Sequence, residues 1–109
     1  MLEFSPQQIA ILERIARGGF TIVAFPLYAS SAGVRRGNCA ALLAPVPQGG
    51  MRFFGEPCWL VGDNLSVRVR RDSRDLFVWK KQEVEATAQR LTALADFRHD
   101  LEKLLAPFA

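Results

Sequence analysis

Much of the usual equipment for chemistry is missing from this chain. Its 109 residues include one histidine, His99, and two cysteines, Cys39 and Cys58, with no Cys-x-x-Cys or comparable ligand spacing. A structural or catalytic zinc site needs three or four such ligands, so none is expected. Gly49-Gly50 is not followed by Lys-Ser/Thr, so no phosphate-binding P-loop is formed. No apolar run approaches the roughly 20 residues that span a bilayer. The opening Met1-Leu2-Glu3-Phe4-Ser5-Pro6 lacks the basic and apolar regions of a signal peptide, and a soluble, cytoplasmic protein is expected. In that compartment Cys39 and Cys58 should be reduced thiols rather than a disulfide.

Catalytic pairings are equally scarce. Cys58 with His99 is the one nucleophile–base combination, and nothing in their spacing brings them together. Glu56 and Asp63 are isolated carboxylates. A non-enzymatic protein without cofactor is the expectation.

Hydrophobic residues, by contrast, are plentiful. They make up 50% of the chain and include eight phenylalanines and two tryptophans, ample for the core of one domain covering residues 1–109. In the middle of the chain, residues 20–84, strand-like segments are apolar on both sides. In Phe20 to Tyr28 one face would carry Phe20, Ile22 and Ala24, and the other Val23, Phe25 and Leu27. Such a strand must be covered twice.

Only the two ends of the chain read as helices. Ser5, Pro6 and Gln8 form a helix start with a capping box, and Phe4 and Ile9 are placed for a hydrophobic staple. Ile9, Leu12 and Ala16, flanked by Ile11 and Ile15, give an apolar stripe that ends at Gly18-Gly19. At the other end Thr87 can cap a helix whose stripe is Leu91, Leu94, Phe97, Leu101, Leu104 and Phe108, with Pro107 near its limit.

Between them the breakers divide the chain into a strand over 20–28 with Pro26 at an edge or bulge, a small-residue turn over 29–33, and a strand over 34–44. Further strands follow over 51–54 and 58–61. The segment 65–70 alternates cleanly, and a turn at Asp72-Ser73 sets Val69 opposite Leu76, Val67 opposite Val78, Arg70 opposite Asp75 and Arg68 opposite Phe77. With short connections and no βαβ crossover, the fold is α+β: an N-terminal helix, an antiparallel meander of five or six strongly twisted strands forming an open roll, and a C-terminal helix packed on the sheet.

Net charge is only +3, but it is concentrated: residues 68–81 carry Arg68, Arg70, Arg71, Arg74, Lys80 and Lys81 against Asp72 and Asp75. Arg68, Arg70, Phe77 and Trp79 would share the outer face of this hairpin. Aromatic rings beside guanidinium groups are characteristic of protein interfaces, and can also stack on bases and neutralise phosphates. Arg35-Arg36, between two glycines, could grip a phosphate, but adjacent strand residues point to opposite faces, so they do not act together. Asn64-Leu65-Ser66 matches the opening of the Asp/Asn-x-Ser-x-x-Gly pattern of cyclic-dinucleotide-binding PilZ domains, but Val69 stands where that pattern requires glycine.

The function expected is that of a small binding or adaptor domain. It would self-associate as a homodimer through an apolar sheet face, with Arg68, Arg70, Phe77 and Trp79 as contacts and Phe53 and Trp59 as additions. The alternative is recognition of nucleic acid or a phosphorylated ligand by the basic hairpin 65–81.

Overall fold

Ser5 caps the first helix as its sequence requires. In the computed structural model, which describes residues 4–28 and 30–105, helix α1 runs Pro6–Arg17. The Ser5 hydroxyl accepts from the Gln8 backbone N–H at 3.2 Å, and the Gln8 side-chain oxygen accepts from the Ser5 N–H at 2.9 Å. Gln8 does more than close the capping box. Its amide nitrogen donates to the carbonyls of Val46 (3.1 Å) and Gly50 (3.3 Å), tying the distant loop 46–50 to the helix start. The buried stripe therefore runs Gln8, Ile11, Ile15. Its centre is displaced from the expected one, leaving Ile9 46% exposed and Ala16 in solvent.

Among the described residues nine short strands follow, every pairing antiparallel. Six of them form one open sheet: β1 (Thr21–Val23), β2 (Ala32–Arg36), β3 (Cys39–Pro45), β4 (Met51–Phe53), β5 (Cys58–Val61) and β6 (Asn64–Leu65). Strand β3 is its centre, with β2 along one side and β5 and then β4 along the other. The segment 34–44, expected as one strand, is a hairpin folded at Gly37-Asn38, and it starts earlier, with Ala32 and Gly33 inside β2. Gly37 adopts φ +61°, a conformation open to glycine at little cost. The polar run Arg35-Arg36-Gly37-Asn38 marks this turn between two apolar stretches.

Strand β1 is shorter than expected. It lies at the sheet edge and ends before Pro26, which instead opens the 3-10 turn Pro26–Tyr28; the fold-back brings Phe25 over Gly33.

The register sorts side chains by face. Cys39, Ala41 and Leu43 join Ile11, Ile15, Phe20, Val34, Met51, Phe97 and Leu101 in the main core. Helix α2 (Ala88–Leu105), capped by the Thr87 hydroxyl accepting from the Arg90 N–H at 3.2 Å, contributes Phe97, Leu101 and Leu105. Leu91, Leu94 and Leu104 are half-buried beside them; Pro107 and Phe108 lie outside the described residues. Both helices thus pack on the same face of the six-stranded sheet. Its other face carries the fold-back at Phe25, whose ring sits so close that a Cβ on Gly33 would lie 2.6 Å from it, and Ala40, Leu42 and Leu60 on that face are buried as well.

The remaining strands, β7 (Val67–Arg71), β8 (Arg74–Trp79) and β9 (Gln82–Glu85), form a second sheet. Its hairpin register is the expected one, including Arg68 opposite Phe77 and Val69 opposite Leu76. Asp72 (φ +52°) and Ser73 (φ +65°) both adopt the left-handed conformation of a tight mirror-type turn. Strand β9 was not expected, because Gln82-Glu83-Val84-Glu85 offers a single apolar residue to a sheet edge.

The sidedness of this sheet reverses the expectation. Phe77 and Val84 face inward with Val61 and Trp59, while Val67 is 66% exposed on the opposite face. Two large rings bury more apolar area than a row of valines, so the aromatic side wins the interior. Leu76 shares the outer face and is nevertheless only 4% exposed. The Arg71–Glu83 ion pair joins the strands on either side of it, and by register the pair spans the position of Leu76.

Candidate interaction surfaces

The four residues singled out on the hairpin separate in the structure. Phe77 is 1% exposed and stacks on Trp59 with centroids 6.2 Å apart. Trp79 is half-buried beside Val61 and Ala86, with the Lys80 ammonium 5.2 Å from its ring centre. Arg68 and Arg70 are exposed. Arg68 donates to Asp75 at 3.1 Å, bridging the two hairpin strands. Phe53 is half-buried against the main core with Arg98 5.3 Å from its ring centre, and Trp59 is half-buried between the two clusters. The aromatic and cationic residues therefore do not form one open patch: the rings hold the two sheets together and the guanidinium groups line the rim.

Two other surfaces are more open. The first lies on the helix-free side of the six-stranded sheet, where the 3-10 turn Pro26–Tyr28 and Phe54 keep large apolar side chains in solvent. Leu27 is 75% exposed and Phe54 55%, with Tyr28 also in solvent. Tyr28 and Phe54 flank a cleft of about 180 Å³ floored by Leu42 and Leu65. A smaller cleft lined by Leu27, Tyr28, Leu65 and Trp79 adjoins it. Because Tyr28 and Leu65 belong to both, the patch is continuous from Phe54 to Trp79. Two features of the sequence bear on it. Phe53 and Phe54 are adjacent and point to opposite faces, so only one can reach the helices. Leu27 and Tyr28 follow the proline that opens the 3-10 turn.

The second is a groove of about 680 Å³ between α2 and the start of β7. Leu91, Leu94 and Ala95 line its helical side, Pro57 and Cys58 its end, and Phe77 its floor, with Arg68 and Arg98 both opening onto it. Arg98 is held by two carboxylates, Glu102 at 2.8 Å and Glu56. It was not among the expected site residues; its place on α2, one turn from Leu94, becomes informative only when the helix is docked.

The other candidates disperse. Arg35 faces one side of the sheet and bonds to the Gly37 carbonyl and Asp63. Arg36 faces the other, paired with Asp100 at 3.0 Å and lying 4.9 Å from the centre of the Phe20 ring. Glu56 and Asp63 thus belong to separate ion pairs. Cys39 is buried on the helix side and Cys58 is half-buried on a neighbouring strand; both are free thiols. Burial raises the pKa of each, in Cys58 against opposing hydrogen bonds from Ser66 and in Cys39 against the nearby Arg36 charge. His99 is exposed on α2. Among the described residues no group of three His, Cys, Asp or Glu side chains could hold a metal ion, and no helix is long and apolar enough to cross a membrane.

No family model, no curated protein and no solved structure matches the chain.

Proposed function

We propose that this chain is a non-enzymatic binding domain that self-associates through an apolar patch on the helix-free side of its six-stranded sheet. The supporting observation is that both helices occupy one face of the sheet, and on the other side, above the buried Ala40, Leu42 and Leu60, the side chains of Leu27, Tyr28 and Phe54 stand in solvent. Contiguous exposed apolar surface of this kind marks association sites. A second copy is the occupant this patch favours. Its centre carries no charged side chain: Glu56 lies at the border, and Arg35 and Arg52, on the same face by register, do not line it, so a two-fold contact centred there buries apolar surface between the copies. The free edge of β7 is the opposite case, since Arg68, Arg70 and Arg71 would meet their own copies there. Trp79 keeps a role at the margin of the contact, and Phe77 supports it from beneath. Two free thiols on opposite faces suit a reducing, cytoplasmic setting.

Light scattering on the full chain tests this directly. A dimer is expected, and Phe54→Glu should yield a folded monomer, because Phe54 is already half in solvent. A wild-type monomer at high micromolar concentration would sink the proposal. Recognition of nucleic acid by the hairpin has less support, since Arg68 and Arg71 are already paired with Asp75 and Glu83.

A further inference from the structure

The geometry points to a second binding site, adjoining the self-association patch at Glu56, Cys58 and Ser66: the groove between α2 and β7 takes a small monocarboxylate with an apolar chain. Three observations carry it. The groove's volume of about 680 Å³ falls within the roughly 300–1,000 Å³ usual for small-molecule sites. Its walls are apolar, from Leu91, Leu94, Ala95 and Pro57; its charged lining is Arg68, already paired with Asp75, and Arg98 with the Glu56 carboxylate, which leaves Arg98 as the group a ligand anion would meet. Arg98 already holds a carboxylate of the chain itself at the groove, that of Glu56.

That last contact suggests how the ligand is received. Glu102, one turn along the helix, bonds to the Nε of Arg98 at 2.8 Å and fixes the guanidinium plane. Glu56 occupies the Nη1 side from a loop and is itself 80% exposed. An ion pair with so wet a partner contributes little stability, so it can be exchanged at small cost. A ligand carboxylate would take the Glu56 position, with its apolar chain laid along Leu94 and Leu91. The advantage over Glu56 comes from burying that chain, and the arginine supplies orientation and selectivity for an anion. Glu56 then acts as an internal competitor that closes the site when ligand is scarce.

Octanoate is a suitable probe and 1-octanol its neutral control, with binding read from backbone amide chemical shifts of the full chain. Octanoate should shift signals at Leu91, Leu94, Ala95 and Phe77 saturably, and 1-octanol should bind more weakly. Arg98→Met should weaken octanoate by about tenfold, the scale of one lost charge-assisted hydrogen bond. Glu56→Gln should tighten it. Ala95→Trp, at an exposed helix position, fills the groove without touching the core and should abolish the shifts. Leu27→Glu, on the part of the self-association surface that shares no residue with the groove, should leave them unchanged, which distinguishes the two sites. Equal binding of 1-octanol, absence of saturable shifts, or unchanged affinity in Glu56→Gln would each overturn the assignment. Loss of octanoate binding in Leu27→Glu would place the ligand on the other patch and overturn it too.

Discussion

Trp59 of β5 lies nearly flat against Phe77 of β8, their planes 18° from parallel, and this stack is where the two sheets of the molecule meet. The chain passes between the sheets through Ser66 alone, whose hydroxyl donates to the Trp59 carbonyl at 2.6 Å. The hydrogen bond fixes the crossing of the backbone, and the stacked rings fix the angle at which the second sheet leaves. Leu91 and Leu94 of α2 close over the same cluster. One small group of side chains therefore sets the shape of the groove between helix and hairpin.

Phe77→Ala should accordingly cost about 3–5 kcal/mol, the range for removing a fully buried phenylalanine. The loss should be uneven. Amides of β7, β8 and β9 should exchange faster with solvent, while the α1–β3 core keeps its protection, because the second sheet is held to the rest mainly through this cluster. Hydrogen exchange on the variant checks both statements; uniform loss across the two sheets would show them to be one cooperative unit.

Gln8 offers a second test, since one side chain serves two structures. Gln8→Ala removes a capping-box partner and leaves the Val46 and Gly50 carbonyls without their side-chain donor. Loss of a capping contact alone costs about 0.5–2 kcal/mol. The measured destabilisation should exceed that of Ser5→Ala, which removes the cap and spares the loop. Denaturant melts of the two variants decide the order, and equal costs would mean that the loop contacts contribute nothing.

The same residues show what could be read in advance. Ser5, Pro6 and Gln8 announce the helix start through local chemistry, and the hairpin register from Val67 to Val78 follows from apolar pairing about a two-residue turn. Both depend on neighbours in sequence. The turn at Gly37-Asn38 is legible as well, and the single strand expected over 34–44 misses it: Arg35-Arg36-Gly37-Asn38 interrupts the apolar run, and Gly-Asn between two strand-like segments is a two-residue hairpin signal. The sidedness of the second sheet, by contrast, was hidden. Alternation distinguishes two faces but does not say which is inner, and Arg68 and Arg70 made the Phe77 face look wet. A long arginine on the rim of an aromatic cluster is compatible with an inward face, because its head group reaches solvent while the ring stays covered. Arg98 and Phe54 acquire meaning only from tertiary placement: one through Glu56, 42 residues away in sequence, and the other through the absence of a helix above it.

Cys58 opens onto the groove, and its thiol supplies the last test. Its pKa is raised chiefly by burial, against a smaller lowering by Ser66. A raised thiol pKa leaves less thiolate at neutral pH, so alkylation of the native protein should be slower than that of a free thiol and its pH profile displaced upward. The sign for stability follows from the same shift. The folded chain keeps its proton when the unfolded chain has lost it, so the contribution is fully present below the ordinary thiol value and is lost as pH rises through the folded one. Cys39 shifts in the same direction and adds to the slope. Chemical denaturation across the alkaline range should show stability declining with pH, and Cys58→Ala should flatten part of that decline. Rapid labelling of Cys58 at neutral pH, or a decline unaltered by the substitution, would show the thiol to be solvated and the end of the groove open to water.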